Sequence, residues 1–191
     1  MESLHMFNGH TSSRNTVSRA MHDAGLSAWF GGTLANAVAL NRASSEVEND
    51  QDTGRVANVG WNRWTPVNAS AIALHLVGSV GQLAGNMDRI RTQPNVAAMT
   101  ALKTAMTAAA LGVTVYSRAL GKRVAERVDI PAQSGTEPTR DTPVQAAEAQ
   151  RRLNVLQWVV PALTGALVVV SAFAGEQQRS SQGGILRRFL R

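Results

Sequence analysis

Leu153 to Gly175 reads LNVLQWVVPALTGALVVVSAFAG, and no charged residue falls between Arg152 and Glu176. At about 1.5 Å per residue, a helix of that length crosses a bilayer core of roughly 30 Å. A helix in a soluble core normally keeps a polar stripe. This one carries only Gln157, Thr164 and Ser171 in its interior, and each can bond within the helix or to a neighbour. The stretch therefore predicts an integral membrane protein, and the rest of the chain is read around it.

Three more charge-poor stretches accompany it. Ala24 to Asn41 lies between Asp23 and Arg42, Trp64 to Met87 lies between Arg63 and Asp88, and Val96 to Ser117 is broken only by Lys103. Each is rich in Gly, Ala, Ser, Thr and Asn, residues that insert less readily than Leu. Together the four stretches predict an all-α fold, an integral membrane four-helix antiparallel bundle. The spans are placed at 24–42, 65–87, 97–117 and 154–175. The chain of 191 residues fits a single domain, 1–191. The expected location is the cell membrane, as a multi-pass protein.

Prolines punctuate the helices. Thr65-Pro66 and Gln93-Pro94 place Pro at a first helical position, where its missing donor costs nothing. Thr142-Pro143-Val144-Gln145 has the spacing of a capping box. The fourth helix is thus predicted to begin near Pro143, with PVQAAEAQRR as an aqueous overhang. The third is predicted to run past Arg118 through GKRVAERV and to pack on that overhang. Between them, 129–141 has the Pro, Gly, Ser and Thr content of a flexible loop. Pro161 predicts a kink, with neighbours satisfying the freed carbonyl. The connection Ala43 to Arg63, with Glu46, Glu48, Asp50 and Asp52, reads as a solvated acidic loop without the spacing of an EF-hand. Trp61 and Trp64 read as interfacial anchors at its end.

The net charge is +6, with a sequence pI of about 11.2. Such a balance suits nucleic acid or anionic lipid headgroups, and the apolar stretches favour lipid. The expected partners are therefore the lipid bilayer and anionic lipid, with no nucleic acid. The basic tail 176–191 pairs Ile185, Leu186, Phe189 and Leu190 with Arg187, Arg188 and Arg191, a pattern suited to a membrane surface. The absence of Cys removes disulfides, thiolate nucleophiles and Cys-ligated metal centres.

Candidate functional residues fall into three groups. Gly78, Gly81 and Gly85 on the second helix, with a GxxxG at Gly81–Gly85, and Ala28 with Gly32 on the first, are helix-packing candidates. They allow packing within one subunit, a homo-oligomer or a larger membrane complex. His75 falls near mid-span and His22 just before the first span. An ionisable group at membrane depth is a candidate metal or haem ligand or proton relay. The two histidines are expected at different depths. Lys103, Asn36 and Gln82 are candidates for a ligand or ion path, with Asn68 and Asn86 beside them. Lys103 also suits snorkelling to the interface. His5 and His10 lie in the N-terminal tail.

Enzyme signatures fail throughout. HExxH, GxGxxG and GxSxG are missing, and Gly121-Lys122 is followed by Arg123 where a phosphate loop needs Ser or Thr. No catalytic activity and no cofactor are expected. The leading expectation is a non-catalytic accessory subunit or self-associating membrane component. The alternatives are a small transporter or metal- or haem-binding membrane protein using His and Lys, and a soluble basic helical protein that binds nucleic acid.

The stretch from His22 through Asp23-Ala24-Gly25-Leu26-Ser27-Ala28-Trp29-Phe30-Gly31 to Gly32 resembles the His…Trp-x-Gly-Gly opening of copper-resistance D-like membrane proteins. That resemblance is confined to the stretch and implies copper handling. The chain as a whole is similar to small multi-helix membrane proteins of actinobacteria.

Overall fold

In the computed structural model the backbone is described for residues 8–125 and 131–189, and side chains for 16–50, 52–125 and 131–175. His5, the side chains of His10 and of the basic tail, and residues 129–130 of the predicted loop lie outside the described residues. Helix α1 (Asn8–Ala35) continues through a π-helical turn (Asn36–Leu40) into α2 (Asn41–Ala43) and a 3-10 turn (Ser44–Glu46). Then follow α3 (Asp50–Gly85), α4 (Met87–Thr92), α5 (Pro94–Ala125), strands β1 (Ala132–Ser134) and β2 (Glu137–Pro138), and α6 (Val144–Phe189). The two strands pair antiparallel.

Among the described residues, three helices are long and apolar enough to cross a membrane: Asp52–Gly85, Pro94–Ala125 and Val144–Gly175. Their large apolar side chains point outward as well as inward. Val77, Val80 and Leu83 on α3, Leu102 and Val115 on α5, and Val155, Trp158, Val169 and Phe173 on α6 are all exposed. A water-soluble surface rarely carries so many on the long faces of its helices. α1 falls outside the three. Its charge-poor part is diluted by Gly25, Ser27, Gly31, Gly32, Thr33 and Asn36.

The second long helix does not start at Thr65-Pro66, as its sequence suggests, but at Asp50. Asp50 and Asp52 occupy its first turn, where carboxylates face the positive end of the helix dipole. The Asn49 carbonyl accepts the N–H groups of Asp52 and Thr53 at 2.9 and 3.2 Å. Pro66 therefore sits inside the helix, exposed, and deprives it of one amide donor. The acidic connection shrinks accordingly. Trp61 and Trp64 become helical residues turned toward α1 and its continuation. Trp61 Nε1 donates to Asn41 Oδ1 at 3.0 Å, and the Trp64 ring covers Gly32.

α5 begins at Pro94 and α6 at Val144, in line with their punctuation. α6 runs through Pro161 without ending, and the Thr164 hydroxyl donates to the Val160 carbonyl at 2.8 Å. The two overhangs pack on each other through Leu120 and Val124 of α5 and Ala146 and Ala149 of α6, with Leu153 and Leu156 against them. α1 packs along α3, α5 along α6, and α1 against α6, while α3 and α5 make few contacts. Where the helices converge, Leu26, Trp29, Ala71, Ala110, Val160 and Leu167 form the core.

The far end of the bundle is tied by polar side chains. The π-helical turn ends with the Asn41 N–H bonded to Asn36 O, five residues back. Asn41 Nδ2 then donates to Gln157 Oε1 of α6 at 2.7 Å. Gln157 Nε2 donates to Asn154 Oδ1 at 2.7 Å and Thr136 Oγ1 at 3.3 Å. The Gly135 N–H donates to Ser44 Oγ at 3.1 Å, and a Cβ on Gly135 would collide with Asn41 and Ala57. Thus 131–139, within the stretch read as a flexible loop, is a small hairpin seated on α2, α3 and α6. Asn41→Leu would leave the Trp61 N–H and Gln157 Oε1 unpaired. Both residues are half-buried, so each group costs about 1 kcal/mol, the low end of the range for an unsatisfied group, and the expected loss is about 2 kcal/mol. It is read as a lower melting temperature in detergent, with the hairpin cut earlier by protease.

Candidate functional site

The site grows from one face of α1. Ser18, His22, Gly25, Trp29 and Gly32 recur at helical spacing and line up on one side. They meet α3 in antiparallel register: Ser18 opposite Gly81, His22 opposite Gly78, Gly25 opposite His75, and Gly32 opposite Trp64. A Cβ on Gly78 would fall on the His22 amide nitrogen and the Ser18 carbonyl, and one on Gly25 on the His75 amide and the Ala71 carbonyl. Only glycine permits so close a backbone approach. Gly78 and Gly81 are thus occupied within the chain. Gly85 is exposed at the end of α3, and Ala28 is exposed on α1, where Gly25 rather than Ala28 makes the close contact.

This approach brings together two histidines that the sequence places at different depths. Their ring centroids are 4.5 Å apart, and Trp29 lies 6.0 Å from His75. A first span beginning at Ala24 leaves His22 outside it. α1 in fact begins at Asn8 and lies alongside the C-terminal half of α3, so residue 22 is level with residues 75–78. His22 Nδ1 donates to Asp23 Oδ1 at 2.7 Å, and Arg19 Nε lies 3.8 Å from Asp23 Oδ2. His75 Nδ1 lies 3.4 Å from the His22 carbonyl, and its Nε2 lies 3.3 Å from Thr107 Oγ1 of α5. A neutral imidazole protonated on Nδ1 serves both, donating to the carbonyl and accepting from the hydroxyl. His75 so links α1, α3 and α5.

The pair is not arranged as two axial ligands of one haem. Metal–nitrogen bonds of about 2 Å on opposite sides of one iron would hold the ring centroids roughly 6 Å apart, and these rings are closer. Among the described residues, no group of three or more His, Cys, Asp or Glu side chains is arranged to hold a metal.

His22 also forms part of the wall of an open cleft of about 1670 Å³ between α3 and α5, closed at its back by α1 and α6. Its polar lining includes Arg19, Asp23, Gln82, Asn86, Arg89 and Lys103. Lys103 is half-buried on the α5 wall and so faces inward. Gln82 Nε2 and Ser171 Oγ are buried in the wall without a hydrogen-bond partner. The predicted ligand-path residues Gln82 and Lys103 therefore share one cavity with His22. Asn36 does not. It lies in the π-helical turn, its Nδ2 donating to the Gly32 carbonyl at 2.8 Å. Asn68, with a buried and unpartnered Oδ1, is likewise away from the cleft lining.

Arg19, Asp23, Thr107 and Ser171 line the cleft from positions that no sequence motif marks as a site. One signal was present. Thr100, Lys103, Thr104 and Thr107 recur at helical spacing, a polar stripe on an otherwise apolar helix. His22, Trp29 and Gly32 lie on the α1 face packed on α3. No protein-family model, curated protein or solved structure matches the chain.

Proposed function

We propose that the chain is a multi-pass protein of the cell membrane, with α1 as a fourth transmembrane helix, and that its work is binding or passage of a ligand rather than catalysis. The observation that carries this is the cleft: a cavity lined by Lys103, Gln82 and Asn86, between two helices long and apolar enough to cross a membrane. Ionisable groups at membrane depth are costly, and where they occur they mark ligand or ion paths. The cleft favours this reading over self-association through glycine faces, because Gly78 and Gly81 are already covered by α1.

The test has two stages. Membranes carrying the protein are extracted with alkaline carbonate, and the protein is expected in the pellet. The chain has no Cys, so single cysteines report cleanly. Thr104→Cys, on the cleft wall, is expected to react with a maleimide at least tenfold faster than Val77→Cys, which is exposed but lies away from the cleft. Release to the supernatant would restore the reading as a soluble basic helical protein. Retention with equal reaction rates would remove the cleft from the proposal.

A further inference from the structure

The cleft has a recognisable chemical character. Two of its cations, Lys103 and Arg89, have no ion-pair partner among the described residues. Its third cation, Arg19, already lies beside Asp23, the only carboxylate in the lining, and Asp23 also accepts from His22. The cavity is therefore net positive. Gln82 Nε2 adds an unmatched donor, and Ser171 Oγ adds an unmatched hydroxyl. The remaining wall is apolar: Leu76, Val80 and Leu83 on α3 face Met99, Leu102 and Leu111 on α5. Val80, Leu83 and Leu102 are also exposed, so the slot opens sideways along the apolar flank of the helices.

An occupant must match both halves. A small hydrophilic anion would satisfy the cations but leave the apolar walls in contact with water. A neutral lipid would cover the walls but leave the cations unmatched. Lys103 lies nine residues beyond Pro94, about 14 Å along α5 at 1.5 Å per residue. From there the Lys103 side chain can extend back toward the Pro94 end of the cleft, where Arg89 also lines the wall and an anionic headgroup would enter, with an acyl chain beside it.

We infer that the cleft between α3 and α5 seats one anionic phospholipid from the surrounding bilayer. Lys103 and Arg89 hold its phosphate, and one acyl chain lies along the Leu76–Val80–Leu83 wall. The inference rests on the cleft reading above and adds the class of ligand.

The test uses the full-length protein in a non-ionic detergent, with bound lipid counted by native mass spectrometry. The probes are phosphatidylglycerol, phosphatidylcholine and inorganic phosphate. One phosphatidylglycerol is expected per chain, bound at least tenfold more tightly than phosphatidylcholine. Lys103→Gln is expected to weaken it tenfold or more. Lys122→Gln, exposed at the far end of α5, is expected to leave it unchanged. Thr104→Phe, filling the slot from an exposed position, serves as a second variant should Lys103→Gln fold poorly, and is expected to lose the lipid with the melting temperature retained. Inorganic phosphate at millimolar concentration is expected not to displace the lipid. Equal binding of the two lipids, binding indifferent to both Lys103→Gln and Thr104→Phe, or full displacement by phosphate would each overturn the assignment. If any of these occurs while Thr104→Cys still labels rapidly in membranes, the cleft reading stands and only the lipid is wrong.

Discussion

Gly78→Leu is expected to separate α1 from α3 and to cost the protein at least as much as any other single substitution named here. The obstacle at Gly78 is backbone, the His22 amide and the Ser18 carbonyl, not the end of a side chain that can swing aside. The helices must move apart, and His22 then loses its contact with His75 while Gly25 loses its seat on Ala71 and His75. Overpacking typically costs about 1–3 kcal/mol and more where nothing can yield. A loss near 3 kcal/mol is expected, or roughly 10 °C in melting temperature for a chain of this size at about 2–4 °C per kcal/mol. Gly112→Leu is the matched control, since a Cβ there meets nothing within 4 Å. It is expected to leave the melting temperature within a few degrees, or to raise it by replacing glycine inside a helix. Circular dichroism melts in detergent decide the point, and equal melting temperatures for the two variants would sink it.

Trp29→Ala carries the second largest effect. Trp29 is fully buried among Leu26, Ala71, Val160 and Leu167, at the meeting of α1, α3 and α6. Truncating a buried Trp costs roughly 3–5 kcal/mol in water-soluble proteins, part of it transfer free energy and part the cavity left behind. Beside lipid the transfer part shrinks, because the alternative surroundings are also apolar. The lost dispersion contacts remain. A loss of about 3 kcal/mol is therefore expected, at the low end of that range. Trp29→Phe separates the contributions. The indole Nε1 is buried without a hydrogen-bond partner, so phenylalanine keeps most of the contacts and removes an unsatisfied donor. Its melting temperature is expected within a few degrees of the parent, while Trp29→Ala falls by roughly 10 °C at the same conversion. Comparable losses in both variants would mean that the indole N–H is in fact bonded and that packing is not the main term.

These two residues mark the boundary between local and distant information. That the chain is helical, that α6 is long and apolar enough to cross a membrane, that α5 opens at Pro94 and α6 at Val144, and that their overhangs pack together were all legible in the sequence. Each depends on residues within a few positions of one another: a run without charge, a proline lacking an N–H, or an apolar spacing repeated along one helix. The start of α3 was not legible, because Pro66 looks like a helix start locally and is tolerated in the interior only because Trp61, Thr53 and Ala57 find partners or burial elsewhere. The union of His22 with His75, the preference for Gly25 over Ala28, the seating of 131–139 and the cleft itself depend on how α1 registers against α3. That register is set by where two backbones can touch, a property of residues some fifty positions apart. The amino-acid sequence alone determined which segments are helical and apolar. Only the tertiary structure decided which polar residues face one another, because small-residue spacing along a helix marks a packing face but not which residues of the other helix it meets.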